Sequence, residues 1–179
     1  SPFYLYWTPD GTRVSFASSY AEGDLGLSLQ IVGIDGSNHE NLVSGRPMYW
    51  AWAPDSSRII AHSGRGASGQ IRLVSPENGG GTADRLRARP SAFHAPAYSP
   101  DGGSIAVVVE GPRDTDLLAV LPDGGAPLQP VARLDGFAAF DWSPTGERIA
   151  YIDGVDELMG GIRGDLHVMG SPDGIHWSL

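Results

Sequence analysis

The sequence predicts an all-β protein, a β-propeller of four-stranded antiparallel blades with about four blades in 179 residues. Three observations predict it. An aromatic-x-Pro-Asp-Gly motif occurs four times, at Trp7-Thr8-Pro9-Asp10-Gly11, Trp52-Ala53-Pro54-Asp55-Ser56, Tyr98-Ser99-Pro100-Asp101-Gly102 and Trp142-Ser143-Pro144-Thr145-Gly146. From Pro9 to Pro54, Pro100 and Pro144 the steps are 45, 46 and 44 residues, the period of a propeller blade. Glycine and proline, at 25 and 14 residues, recur in phase with the motif, which marks turns between short strands rather than disorder.

Each copy reads as strand, turn, strand. First strands run from Phe3 to Trp7, Met48 to Trp52, Phe93 to Tyr98 and Phe137 to Trp142. Proline presets one turn angle, aspartate hydrogen-bonds the backbone beyond it, and glycine accepts a positive φ. Second strands follow at Arg13 to Ala17, Arg58 to His62, Ile105 to Val109 and Arg148 to Ile152. Third strands lie at Leu27 to Val32, Ile71 to Val74, Leu117 to Leu121 and Leu166 to Met169, ending in Gly-rich turns at Asp35-Gly36, Asn78 to Gly81, Asp123 to Gly125 and Asp173-Gly174. Fourth strands are read at Asp84 to Ala88 and Gln129 to Leu134.

These elements place the blades at approximately 1–46, 47–91, 92–136 and 137–179 of a single complete or partial propeller domain. Ser171-Pro172-Asp173-Gly174 spells the motif again but lies 28 residues after Pro144. By spacing it is the turn after a third strand, and Ile175 to Leu179 begins a fourth.

The runs Ile105 to Val109 and Ile149 to Ile152 are apolar without alternation, as suits strands covered on both faces. Open repeat arrays need polar end units, yet neither Val14 to Ala17 nor Ile149 to Ile152 reads as a polar cap. Something should therefore cover both terminal blades: a closed ring of four, further blades of the same gene product, or a second chain. Further blades come first, because four-bladed rings are uncommon and the sequence stops inside a strand.

Composition excludes several functions. A net charge of −9 and no basic run argue against a nucleic-acid partner. No apolar stretch reaches membrane-spanning length. Without cysteine there is no disulfide or thiolate chemistry, although this does not fix a compartment. The five histidines show no metal-ligand spacing, so no metal or cofactor is expected. Gly64 to Gly69 has dinucleotide-loop spacing, but that chemistry needs a following helix N-terminus, and Ile71 to Val74 reads as a strand. Gly-x-Ser-x-Gly and His-Glu-x-x-His are absent.

The four motif copies, each followed by Arg or Ser and an apolar strand, resemble the WD-like repeat of TolB-type β-propellers. The same repeat occurs in propeller domains of prolyl-oligopeptidase-like serine peptidases. Departures are Ser56 for Gly, Tyr98 for Trp, Ser104 for Arg and Thr145 for Asp; they weaken any shared ligand site at the turns. The resemblance implies a ring of six to eight blades, a periplasmic or extracellular setting, and a role in binding proteins or peptides or in gating a catalytic domain.

Candidate site residues lie where the repeat does not repeat. His94 is placed at the start of an innermost strand, facing the channel mouth, against the plainer reading of a packed histidine. Carboxylates cluster after the second strands: Glu22 and Asp24; Glu110, Asp114 and Asp116; Asp153, Asp156, Glu157 and Asp165. In a propeller these loops share one face and give it an acidic rim, suited to a cation, a basic peptide or a glycosidase-type pair, or only to solubility. The loop from Asp153 to Asp165 is the longest and carries Leu158, Met159 and Ile162. Arg163-Gly164-Asp165 within it spells an adhesion tripeptide, best taken as chance. Tyr4, Tyr6, Trp7, Tyr49, Trp50, Trp52 and Trp142 read as inter-blade core.

The function expected is a non-enzymatic, protein- or peptide-binding scaffold acting through the acidic loop face, with His94, Glu110, Asp114, Asp116, Asp156, Glu157 and Met159 as binding candidates. An accessory propeller of a larger serine peptidase is the alternative, and a carboxylate-based or cation-binding propeller a third class.

Overall fold

The computed structural model describes residues 3–19, 26–64, 66–76, 83–86, 88–91, 94–122, 127–134, 137–156, 163–170 and 176–177. Among them the chain forms four antiparallel four-stranded sheets, the blades of a partial β-propeller. Residues 1–95 and 96–179 are two compact units.

In the first unit, β1 (Phe3–Trp7), β2 (Arg13–Ser19), β3 (Leu27–Gly33) and β4 (Glu40–Gly45) pair in sequence order. A second sheet repeats the order with β5 (Met48–Trp52), β6 (Ile59–Ser63), β7 (Gln70–Val74) and β8 (Ala83–Arg85). The second unit contains β9 (Ala97–Tyr98), β10 (Ser104–Glu110), β11 (Asp116–Pro122) and β12 (Gln129–Leu134), then β13 (Phe137–Trp142), β14 (Arg148–Asp156), β15 (Arg163–Gly170) and β16 (His176–Trp177). Up-and-down order follows from short connections, since an antiparallel neighbour needs only a hairpin whereas a parallel one needs a long crossover.

The repeated motif makes one turn four times. In the first copy Thr8 N donates to Arg13 O at 3.0 Å and Gly11 N to Thr8 O at 2.9 Å. The same two bonds join Ala53, Ser56 and Arg58; Ser99, Gly102 and Ser104; and Ser143, Gly146 and Arg148. One Oδ1 of the aspartate accepts the backbone N–H two residues on: Thr12 to Asp10 at 2.9 Å, Ser57 to Asp55 at 3.0 Å, Gly103 to Asp101 at 3.0 Å. These donors hold the three carboxyls below the usual range; the largest contribution is the hydroxyl of Thr8, Ser57 and Ser99 respectively.

The second residue after the motif proline takes a left-handed backbone, with φ of 70° at Gly11, 63° at Ser56, 73° at Gly102 and 75° at Gly146. Serine there is strained, and the structure shows what accompanies the strain. Ser56 is buried, and its Oγ accepts Asp10 N at 3.0 Å, joining the turns of the first and second sheets. A glycine could not make that bond.

In the first unit, Ala17, Leu29, Ile31 and Val43 of the first sheet pack against Met48, Trp50, Trp52, Ile59, Ala61 and Val74 of the second. Buried Ser15 sits at the centre. Its Oγ accepts Trp50 Nε1 and Trp52 Nε1, each at 2.9 Å, and donates to Tyr6 O at 3.2 Å. Tyr6 and Trp50 meet edge to face at 5.2 Å, a favourable aromatic geometry. In the second unit, Ala106, Val108, Leu118, Val120 and Leu134 pack against Trp142, Ile149 and Tyr151. Trp142 Nε1 donates to Ala97 O at 3.1 Å. All five residues from Ile105 to Val109 are buried, as the run without alternation predicts.

Several expectations need correction. The third blade's first strand is only Ala97–Tyr98 rather than Phe93 to Tyr98, because Pro96 has no N–H for a ladder. The hairpin read as a loop from Asp153 to Asp165 is largely strand, with β14 reaching Asp156 and β15 starting at Arg163. Arg163-Gly164-Asp165 thus lies in a paired strand. Tyr4, Tyr6 and Trp7 are 54%, 49% and 60% exposed rather than core, unlike Trp50, Trp52 and Trp142.

Candidate functional site

Three of the described acidic candidates, Glu110, Asp114 and Asp116, lie on the β10–β11 hairpin. Glu110 and Asp116 are directly opposite partners in its register, which puts both side chains on one side of the sheet. Glu110 is exposed and Asp116 half-buried. Beyond them the chain reverses through Gly111, where Gly111 N donates to Thr115 O at 2.6 Å and Thr115 Oγ1 to Pro112 O at 2.8 Å. A Cβ on Gly111 would lie 2.6 Å from Leu117 Cγ and 2.8 Å from Thr115 Oγ1, so any side chain there would force those side chains to shift. Arg113 and exposed Asp114 complete the tip with φ of 60° and 57°. Sequential positive φ values suit the right-handed twist of a hairpin. The result is three carboxylates within seven residues at one protruding end, with Arg113 beside them.

At the neighbouring hairpin, Asp153 pairs with Asp165 and Asp156 with Arg163 in the backbone register. Asp165 is exposed. Glu157 and Met159, like Leu158, Ile162, Glu22 and Asp24, lie outside the described residues.

His94 sits in the segment before β9, not within a strand, and its side chain is 5% exposed. Its carbonyl lies 3.0 Å from His62 Nδ1, while His62 Nε2 lies 3.0 Å from Gly64 O. Burial lowers the His62 pKa, and the two carbonyls oppose that shift. This histidine, set among apolar β6 residues, was not singled out by sequence pattern; Gly64 is a local neighbour, but only the fold brings the His94 carbonyl to its ring.

A second feature the sequence did not signal is an open groove of about 1030 Å³ in the first unit, lined by Thr12, Arg13, Asp35, Asn38, His39 and Glu40 among others. Arg13 Nη1 donates to Pro76 O at 2.7 Å, and His39 Nε2 lies 2.6 Å from Gln30 Oε1. Its residues come from separate turns, so no local spacing announces it.

Among the described residues no three His, Asp or Glu side chains are placed to hold a metal ion. Gly66–Ser68 is a single 3-10 turn leading into β7, too short for the helix N-terminus that a dinucleotide loop requires. No described helix is long and apolar enough to cross a membrane.

Four antiparallel blades, each turning between its first two strands at the repeated proline motif, define a partial β-propeller of the kind found in TolB and in prolyl-oligopeptidase-like peptidases. No family model matches the sequence, and no curated protein does. Among solved structures, TolB from Acinetobacter baumannii is similar at a TM-score of 0.71 and 23% identity, over 93% of this chain and 40% of that one. The β-propeller domain of the Trilobed protease from Pyrococcus furiosus, described as having an open velcro topology, matches at 0.66 and 12% identity, over 96% and 56%. A prolyl endopeptidase matches at 0.65 and 17% identity, over 96% of this chain and 27% of the enzyme. The chain therefore spans well under two thirds of the length of each of these proteins.

Proposed function

We propose that this chain is part of a non-enzymatic propeller scaffold of TolB type that binds a basic protein or peptide segment through its acidic hairpins. The observation that carries the reading is the Glu110–Asp116 pair across β10 and β11 with Asp114 at the tip. Two carboxylates on one side of a rigid hairpin match the spread donors of an arginine, and charge-assisted pairs of this kind add specificity as well as affinity. Asp156, Glu157 and Met159 of the next hairpin are proposed to extend the surface, the methionine supplying an adaptable apolar contact. His94 belongs to the other compact unit, and its burial suits packing rather than contact with a partner. The ring is completed by further blades or a second chain.

Titration of the chain with an arginine-rich peptide, followed by calorimetry, tests this. Replacing Glu110 by Gln and Asp116 by Asn together should weaken binding at least about tenfold, near 1.4 kcal/mol, and flatten its salt dependence. Unchanged affinity would exclude the hairpin.

A second reading, an accessory propeller of a serine peptidase, is favoured by the similarity to a prolyl endopeptidase. Its discriminator is genetic: a downstream Gly-x-Ser-x-Gly with later Asp and His in the same reading frame.

A further inference from the structure

Charge is not spread evenly along this chain. Residues 47–91, the span of the second sheet, carry six arginines against three acids, a net +3, while the rest carries six arginines against eighteen acids, a net −12. The three acids are Asp55, Glu77 and Asp84. Residues 85–89 read Arg-Leu-Arg-Ala-Arg, with arginine at every second position, the period that keeps side chains on one side of an extended segment. Arg85 and Arg89 are exposed, and Arg87 lies outside the described residues.

The register concentrates this charge. Across β7 and β8, Arg72 stands directly opposite Arg85. Such partners hold their Cβ atoms about 5 Å apart, and like charges placed so oppose folding. On its other side Arg72 pairs with Ala61 of β6, which is small and uncharged. The half-buried Arg72 donates through Nε to Gln70 Oε1 at 2.7 Å and through Nη2 to the same oxygen. A neutral amide orients the guanidinium without neutralising it. Among the described residues β8 is the last strand of its sheet, so a strand added beside it would place a residue directly opposite Arg85.

We infer that the outer strand of the second sheet binds an extended acidic segment of a partner protein, with Asp or Glu at alternate positions, by strand addition. A carboxylate opposite Arg85 places an anion at the end of the row Ala61, Arg72, Arg85 and relieves the repulsion within it. Arginine suits this task, because its planar fork donates two parallel hydrogen bonds to one carboxylate. A segment with period two turns all its carboxylates to the arginine side, whereas consecutive acids would turn half of them away. A nucleic acid would meet the same arginines but offers no backbone N–H and C=O to the strand edge. The site lies in the unit of residues 1–95 and takes a ligand of opposite charge to that of the acidic hairpin, so neither reading depends on the other.

Calorimetry of the 179-residue chain with two peptides of equal length and charge tests it: one with Glu alternating with Thr, the other with the same Glu residues in one block. The alternating peptide should bind at least about tenfold more tightly than the block peptide. Arg72→Gln and Arg85→Gln should each weaken it at least about tenfold, whereas Arg133→Gln, the same charge change on β12, should not. Single-stranded DNA of matching charge should bind no better than the block peptide. Arg85→Gln should keep or raise the urea midpoint of the free chain, because it removes a repelling charge. Equal binding of the two peptides, full affinity in the Arg72 and Arg85 variants, or an equal loss in the Arg133 variant overturns the inference. DNA that binds as tightly as the alternating peptide overturns it in favour of a polyanion site. A lowered urea midpoint overturns it too, since the chain would then supply the anion itself. The acidic hairpin is tested by an arginine-rich peptide instead, so the failure of one reading is distinct from the failure of the other.

Discussion

The Ser15 hydroxyl has one proton and two lone pairs, and Tyr6 O and the indoles of Trp50 and Trp52 use all three. Removing it leaves two buried indole donors without an acceptor, each costing about 1–3 kcal/mol. Ser15→Ala should therefore destabilise the protein by about 2–4 kcal/mol in urea unfolding, far beyond the loss of one small polar atom. Trp52→Phe should recover part of that loss in a double-mutant cycle. His62 behaves differently, because its two ring nitrogens face two carbonyls and a neutral imidazole has one N–H for them. Tyr49 packs on the ring at 5.7 Å, and burial raises the tyrosine's pKa, so it stays neutral beside the histidine. With the His62 pKa lowered by burial, the native state binds its proton less readily than the unfolded chain. Its stabilising effect is complete above about pH 6.5 and is lost as pH falls toward the lowered folded value. The slope is at most about 1.4 kcal/mol per pH unit. Unfolding at pH 7.5 and pH 5 should show this loss, and His62→Gln should reduce it.

At the level of elements, the Pro-Asp turns were legible because their determinants are local. Proline, aspartate and the left-handed position sit in consecutive residues, and the structure repeats the turn's two backbone hydrogen bonds in all four copies and the aspartate bond in three. The depressed pKa values of Asp10, Asp55 and Asp101 fix a sign for acid behaviour. Their contribution is present above the unfolded carboxyl value, near 3.9, and disappears as pH falls through the lower folded values. Asp101→Asn should thus lower the melting temperature at pH 7 while having little effect near pH 2. The Ser56 departure was legible only as a missing glycine. Its bond to Asp10 spans 46 residues, and no local spacing encodes such a contact. The shortening of β9 is the opposite case: Pro96 was in plain view, and its missing N–H was sufficient to end the strand.

For the whole molecule, the four sheets and their strand order were legible, because apolar periodicity and turn spacing both derive from a blade's geometry. The candidate site was less legible. Glu110, Asp114 and Asp116 could be assigned to one loop, yet the direct pairing of Glu110 with Asp116 depends on hairpin register. The exposed Trp7 was misassigned to the core, since sequence shows what a residue suits and not whether its neighbour is present. Screening should weaken a basic peptide at the acidic hairpin, so its affinity measured between about 0.01 and 0.15 M salt should fall.

The Pro-Asp turn also has a consequence in time. It joins residues such as Thr8 and Arg13, whereas the Trp50–Ser15 bond between sheets spans 35 residues. Closing the longer loop costs about 1.7 kcal/mol more in chain entropy. Each hairpin can thus assemble before its sheet meets a neighbour, and the four turns are four equivalent starting points for folding. Slow steps should fall on the contacts between blades: replacing Ser15 should chiefly speed unfolding, and replacing Asp55 should slow refolding.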